Sequence, residues 1–191
     1  METTSILFSG IGGQGIILAS QLVAHLAFSL GFMVKESEVH GMAQRGGSVV
    51  SHVRFGKEVY SPLIPKGKAD ILVAMEELEG LRNIDYLKPT GRVILNTRQV
   101  VPSTSSTKTI PYPDNIAKQL ATLGYTVTSI DALGIAQKLG NQKIENIILL
   151  GALSNYLPFP QEAWEKIITE AVPPKTVTLN LTGFNLGKPT S

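Results

Sequence analysis

Cysteine is absent from all 191 residues. The chain therefore forms no disulfide, offers no thiol nucleophile and supplies no thiolate to an iron–sulfur cluster. Histidine is scarce: His25, His40 and His52 are the only three, and their spacing fits no zinc site, so no metal ligand is assigned. Excess charge of one sign is missing too. Seventeen basic against fifteen acidic residues leave +2, with no run of like charges and no basic–aromatic stripe. That balance gives no reason to expect nucleic acid or an anionic membrane as partner. Long apolar runs are also lacking. The longest helix-length run, Ile16 to Leu30, contains Ser20, Gln21 and His25 and falls short of the roughly 20 apolar residues of a membrane span. Glu2 stands where a signal peptide carries positive charge. The expectation is a soluble, cytoplasmic chain forming one domain over 1–191, with 43% hydrophobic residues to fill its core.

The informative stretch lies near the start. Ile6-Leu7-Phe8 reads as a short buried strand, Gly10-Ile11-Gly12-Gly13-Gln14-Gly15 as a glycine turn, and Ile16 to Leu30 as a helix stopped by Gly31. Strand, glycine turn and helix is the context of a phosphate-binding fingerprint. Gly10 is expected to take the turn, Gly12 to let the backbone approach a ligand, and Gly15 to let the helix close on the strand. The helix start presents unpaired N–H groups to an anion, with little bulk at Gly13 in the way.

Phe32-Met33-Val34 reads as a second strand running into Lys35-Glu36-Ser37-Glu38. A dinucleotide site places its ribose-binding acid about 20 residues beyond the fingerprint, and Glu36 stands at that distance. Two readings stay open for Glu36: a ligand of NAD, or a member of a solvated loop at the carboxyl end of the strand. The segment Val39 to Ser48 suits neither helix nor strand, and Gly46-Gly47 beside Arg45 suggests backbone held close to an anion or another chain. An ordinary surface loop is the alternative, with His40 a hydrogen-bonding loop residue. This loop and the glycine turn are expected to share the carboxyl edge of the sheet, where open α/β folds bind ligands.

Alternation over Val49 to Phe55, a Gly56-Lys57 turn and Val59-Tyr60 predict a β-hairpin. Ile71 to Met75 and Arg92 to Asn96 read as buried parallel strands, with Asn96 a candidate site residue at its tip. Glu76-Glu77 opens a helix to about Leu87. Thr97 to Pro113 is a long crossing segment. Asp114 is expected to cap a helix ending at Gly124, Tyr125 to Ile130 is a strand, and Asp131 caps Ala132 to Leu139. Asn141 starts a helix through Tyr156 in which Gly151-Ala152 is narrow enough for close packing, inside the core or against a partner. Trp164, Ile167, Ile168 and Ala171 give the apolar face of another helix, and Val177 to Leu186 fits strand or helix equally. The fold class is α/β: a Rossmann-like open sheet, mostly parallel, with helices on both faces and an added β-hairpin.

Taken together, the glycine turn, the loop Glu38 to Ser48 and the strand Val49 to Phe55 resemble the gamma domain of 2-oxoacid:ferredoxin oxidoreductases. The string Glu38-Val39-His40-Gly41-Met42-Ala43-Gln44-Arg45-Gly46-Gly47 is most similar to the beta subunits of the indolepyruvate branch. Gly140-Asn141 with Asn146 and Leu150-Gly151-Ala152, and the closing Asn180 to Gly187, extend the resemblance over nearly the whole chain. The resemblance implies a complex in which a 2-oxo acid is decarboxylated on thiamine diphosphate. Electrons then leave through iron–sulfur clusters to ferredoxin, and the acyl group leaves on coenzyme A. It places thiamine diphosphate and the clusters in a larger partner subunit, gives this chain no catalytic residue and no cofactor of its own, and leaves it inactive alone. Gly10, Gly12, Gly13, Gln14 and Gly15 would form a backbone surface for an anion or partner. His40, Gln44, Arg45, Gly46, Gly47 and Ser48 would form the facing loop, with Arg45 clamping a carboxylate or phosphate. The alternative is an NAD-binding dehydrogenase or NAD-sensing subunit built on the glycine turn and Glu36, although gamma domains are not known for NAD chemistry.

Overall fold

A computed structural model describes residues 2–41, 46–101 and 111–189, with the backbone alone at His40. Six strands form one sheet: β1 Thr4–Ile11, β2 Met33–His40, β3 Ser48–Gly56, β4 Ala69–Ala74, β5 Leu87–Asn96 and β6 Thr126–Ile130. Their order across the sheet is β2-β3-β1-β4-β5-β6. Strands β1, β4, β5 and β6 pair in parallel, while β3 runs antiparallel to both β1 and β2. Seven α-helices are described: α1 Ile16–Ser29, α2 Glu77–Arg82, α3 Ile116–Thr122, α4 Ala132–Lys138, α5 Glu145–Ser154, α6 Gln161–Ala171 and α7 Val177–Leu186. None is long and apolar enough to cross a membrane among the described residues.

Period-two alternation divides the core between the faces of the sheet. Ile6 and Phe8 of β1, Val53 and Phe55 of β3 and Ile94 of β5 pack with α1, α4, α5, α6 and α7. Leu7, Leu72, Val93 and Leu95 point the other way, onto Ile116 and Leu120 of α3 and Leu78 and Leu81 of α2. The expected mostly parallel α/β sheet with helices on both faces is what the chain forms. Gly31 ends α1 with a left-handed φ of 84°. Its N–H donates to Phe28 O and that of Phe32 to Ala27 O, a pair of bonds that satisfies the last carbonyls.

Several local expectations are corrected. The hairpin is β2–β3, not β3 with Val59-Tyr60, and 57–63 contains no strand. Val59 N–H donates to Met33 Sδ instead, and Tyr60 lies 83% exposed. Lys35 to Glu38 are not a loop but the middle of the edge strand β2, paired with β3 through Glu36↔Val53 and Glu38↔Ser51. Strand β1 is longer than its apolar triplet because its ladder with β3 carries on through Gly10↔Val49 and Ile11↔Ser48. Helix α2 stops at Arg82, and Ile84–Tyr86 forms a short 3-10 turn. Asp114 is not the cap of α3. Asn115 is, with a left-handed φ of 53° that asparagine tolerates better than most residues. Asp131 caps α4 as expected, accepting from Gly134 N–H. The helix expected from Asn141 to Tyr156 is divided into a 3-10 turn, Gln142–Ile144, and α5. The closing segment Val177–Leu186, open between strand and helix in sequence, is the helix α7.

His52 is structural. Its buried ring accepts at Nδ1 from Ile64 N–H (3.2 Å) and meets Tyr86 edge-on at 5.7 Å. Burial pushes its pKa below the ordinary 6.5. The unfolded chain then takes up a proton that the folded chain refuses, so the His52 contribution is present above pH 6.5 and lost as pH falls below it. His52→Asn, which keeps an acceptor for Ile64, is expected to flatten the fall of stability below pH 6.5. The difference in slope cannot exceed about 1.4 kcal/mol per pH unit, and denaturation of both proteins at pH 7.5, 6.5 and 5.5 measures it.

Candidate functional site

The carboxyl ends of β1, β4, β5 and β6 meet along one edge, and the glycine turn lies there. The turn is held from inside by Gln14. Its backbone N–H donates to Ile11 O (3.1 Å) and its Oε1 accepts from Ile11 N–H (2.8 Å). Gln14 Nε2 is buried with no hydrogen-bond partner among the described residues. Gly10 does not turn the chain. It is in strand β1, and glycine is needed there because a Cβ would come within 2.7 Å of Gln14 Oε1 and 2.8 Å of Met75 Cβ. Gly12 brings its backbone close to the chain's own loop. Its N–H donates to Gly47 O (2.8 Å) and its carbonyl accepts from Gly46 N–H (3.3 Å). The turn and the loop after β2 thus share the sheet edge and are bonded to each other. Of the loop, His40 pairs through its backbone with Val49, while Gln44 and Arg45 lie outside the described residues.

Gly15 is the N-cap of α1, with φ 76° and no side-chain cap. A Cβ at Gly15 would lie 2.6 Å from Asn146 Nδ2, which donates to Gly15 O (3.3 Å). Gly15 therefore makes room for the buried amide of α5 rather than for the closure of helix on strand. The first turn of α1 carries no acidic residue, so its positive end is not neutralised from within the helix. Beside it, a Cβ at Gly13 would meet nothing within 4 Å, and Ile17 and Leu18 are 39% and 37% exposed. The resulting surface is open, apolar and rich in backbone donors. It suits a carboxylate, a phosphate or another protein.

Sequence reasoning passed over a set of buried acids along the same edge. Glu76, Glu77, Glu79 and Glu145 are each less than a tenth exposed. Glu76 caps α2 by accepting from Glu79 N–H (2.9 Å), and it also receives Val100 N–H (3.0 Å) and the Tyr112 hydroxyl (2.5 Å). Burial, and then the bond to Glu76, push the Tyr112 phenol well up, so it stays protonated as the donor. Glu77 accepts from Gln99 Nε2 (2.7 Å). Glu79 accepts from Ser48 Oγ (2.5 Å) and pairs with Arg82 (2.7 Å). Glu145 pairs with Arg98 and accepts from Asn96 Nδ2 (3.2 Å). Asn96 is consequently a buried tie and not a ligand-facing residue: it also donates to Met75 O and accepts from Ala132 N–H. The available sequence signal was Glu76-Glu77 directly after a fully apolar strand, where an acid must find donors as the chain leaves the core.

Glu36 is far from this arrangement in topology. In a Rossmann site the acid ends a strand lying parallel to the first. Here the antiparallel β3 separates β1 from β2, and Glu36 accepts from Ser20 Oγ of α1 (2.7 Å). Burial raises its pKa above 4.5. The placement within β2 overturns the solvated-loop reading of Glu36, and the topology does not favour the NAD-ligand reading.

Comparison with known proteins agrees with this geometry. The family model described as pyruvate ferredoxin/flavodoxin oxidoreductase matches residues 5–188. The indolepyruvate oxidoreductase subunit IorB of Thermococcus kodakarensis is 40% identical over 192 residues, covering 98% of this chain and 95% of that one. Among solved structures, the gamma subunit of a keto/oxoacid ferredoxin oxidoreductase from Geobacter sulfurreducens is 27% identical, with a TM-score of 0.71 over 96% of this chain and 95% of that one. A 2-oxoglutarate:ferredoxin oxidoreductase from Magnetococcus marinus, with 2-oxoglutarate, coenzyme A and succinyl-CoA bound, shares the fold. It is 20% identical, with a TM-score of 0.75 over 98% of this chain and 30% of that one.

Proposed function

Because the chain belongs to the pyruvate ferredoxin/flavodoxin oxidoreductase family, we propose that it is an accessory subunit of a 2-oxoacid:ferredoxin oxidoreductase acting on aryl pyruvates such as indolepyruvate. The observation that carries this reading is the bonded pair of glycine segments, Gly12 against Gly46 and Gly47, beside an open helix start. Among the described residues it is a surface built mainly of backbone. Such a surface completes a site and does not perform the chemistry.

The division of labour follows from the side chains present. Iron–sulfur clusters do not fit this chain, which has no cysteine to ligate them. Thiamine diphosphate and the clusters belong to a larger partner subunit, which passes electrons to ferredoxin. Toward the 2-oxo acid or coenzyme A, this chain contributes the N–H groups of α1 and the guanidinium of Arg45, both suited to a carboxylate or phosphate. Gly10, Gly12, Gly13, Gln14 and Gly15, with His40, Gln44, Arg45, Gly46, Gly47 and Ser48, make up the binding edge. The complex works in the cytoplasm as one assembly whose isolated small subunit is inactive.

Affinity purification of the tagged chain from its host tests this reading. The expected eluate contains a larger iron–sulfur protein and reduces a dye or ferredoxin with indolepyruvate and coenzyme A, faster than with pyruvate or 2-oxoglutarate. A preference for pyruvate would overturn the aryl-pyruvate assignment. A lone, colourless chain would overturn the subunit assignment.

A further inference from the structure

Glu79 is 2% exposed on a six-residue helix that contains none of the residues assigned to the binding edge. One of its contacts nevertheless reaches that edge, at Ser48. One carboxylate oxygen receives Ser48 Oγ (2.5 Å), and the other receives Arg82 (2.7 Å). Its backbone carbonyl accepts from Ser9 Oγ (3.3 Å) in β1 and from Asn83 Nδ2 (2.9 Å). Ser48 is the first residue of β3, directly after the Gly46-Gly47 pair that bonds Gly12.

An Arg82 pair alone does not explain this placement. Residues three apart on a helix meet at its surface, and such exposed pairs contribute little. Half of the Arg82 side chain is exposed (52%), whereas that of Glu79 is 2% exposed. The buried oxygen directed at Ser48 links α2 to a strand 31 residues earlier in the chain. Gly46 and Gly47 have no side chains, and their backbone bonds to Gly12, like the Ile11–Ser48 pairing of the ladder, tie them only to β1 and its turn. The charged acceptor on α2 adds a side-chain tie from a second element, at the point where the loop enters β3.

We propose that Glu79 is a positioning residue: through Ser48 it holds the Gly46-Gly47 segment in register against the glycine turn. It touches neither substrate nor partner. The inference rests on the subunit reading for its effect on turnover, but not for its effect on the loop. Ser48→Ala, a change at an exposed residue, removes the contact without emptying the core. Glu79→Ala removes it from the other side, and Glu79→Gln keeps an acceptor at full reach.

Two readouts apply. In the reconstituted complex, Ser48→Ala and Glu79→Ala are each expected to lower kcat about tenfold, the scale of a small misplacement at a site. The double variant should lose no more than either single one, and Glu79→Gln should retain most of the rate. In the isolated chain, hydrogen exchange at the Gly12 and Gly46 amides, which bond across the two segments, is expected to quicken about fivefold or more in Ser48→Ala and Glu79→Ala, and not in Glu79→Gln, as local opening becomes easier. Exchange rates equal to wild type, or losses of kcat that multiply in the double variant, would overturn the proposal. A wild-type complex without 2-oxo acid activity would remove the subunit reading instead, and the exchange rates alone would then decide the role of Glu79.

Discussion

Gly15→Ala is expected to cost the folded chain about 2–4 kcal/mol and to abolish productive assembly with the proposed larger subunit. Two costs add. Gly15 holds a left-handed φ of 76°, where an L side chain costs about 1–2 kcal/mol. The new Cβ also lies 2.6 Å from Asn146 Nδ2 and 3.0 Å from Cγ, and that side chain is buried in the first turn of α5. Asn146 can move only by giving up its bond to Gly15 O, so the glycine turn loses its tie to α5 as it gains a clash. Gly13→Ala is the internal control. Its φ of 106° is strained as well, but a Cβ there meets nothing within 4 Å. Denaturant unfolding should therefore show Gly15→Ala as the costlier change, and adding Asn146→Ala should recover part of the loss. Equal costs at the two glycines would mean that the amide contact is unimportant.

Gly151→Ala is expected to be more damaging to stability, by more than about 3 kcal/mol, because no side chain can yield. A Cβ on Gly151 would lie 1.9 Å from the backbone oxygen of Phe184 in α7, and one on Gly187 would lie 1.8 Å from Ile148 O in α5. Each helix approaches the other through a glycine, so either substitution must separate α5 from α7. For a chain of this size the melting temperature should fall by about 6–12 °C. A fall under about 2 °C would show that α7 shifts freely. The narrow Gly151-Ala152 pair was open in sequence between core and partner. The contact with α7 assigns it to the core.

What was legible in the sequence was whatever depends on near neighbours or on complete burial. Ile71 to Met75 and Val93 to Leu95 read as central strands because both faces are covered, and Gly31 and Asp131 punctuate their helices through local bonds. Strand β2 was not legible beyond Val34. It is an edge strand whose Lys35-Glu36-Ser37-Glu38 carries no apolar alternation, and only pairing with β3 makes it a strand. With that pairing unseen, Val59-Tyr60 looked like the natural return strand. The acids were missed for a related reason. Glu76 was read only as opening a helix, and Glu79 and Glu145 carried no signal, because their donors Val100, Tyr112, Ser48 and Arg98 are all distant in sequence. The glycine turn was recognised, but not its internal ties. Gly12 bonds the loop, and Gly15 meets Asn146 where the strand was expected.

The most direct measurement is to purify the larger iron–sulfur subunit without this chain and follow indolepyruvate-dependent dye reduction, with coenzyme A present, as the chain is added back. The account predicts little activity before addition and a saturable rise to a plateau, with Gly15→Ala unable to produce it. Full activity before addition, or a rise that Gly15→Ala reproduces, would contradict the claim that this glycine-built edge completes the site.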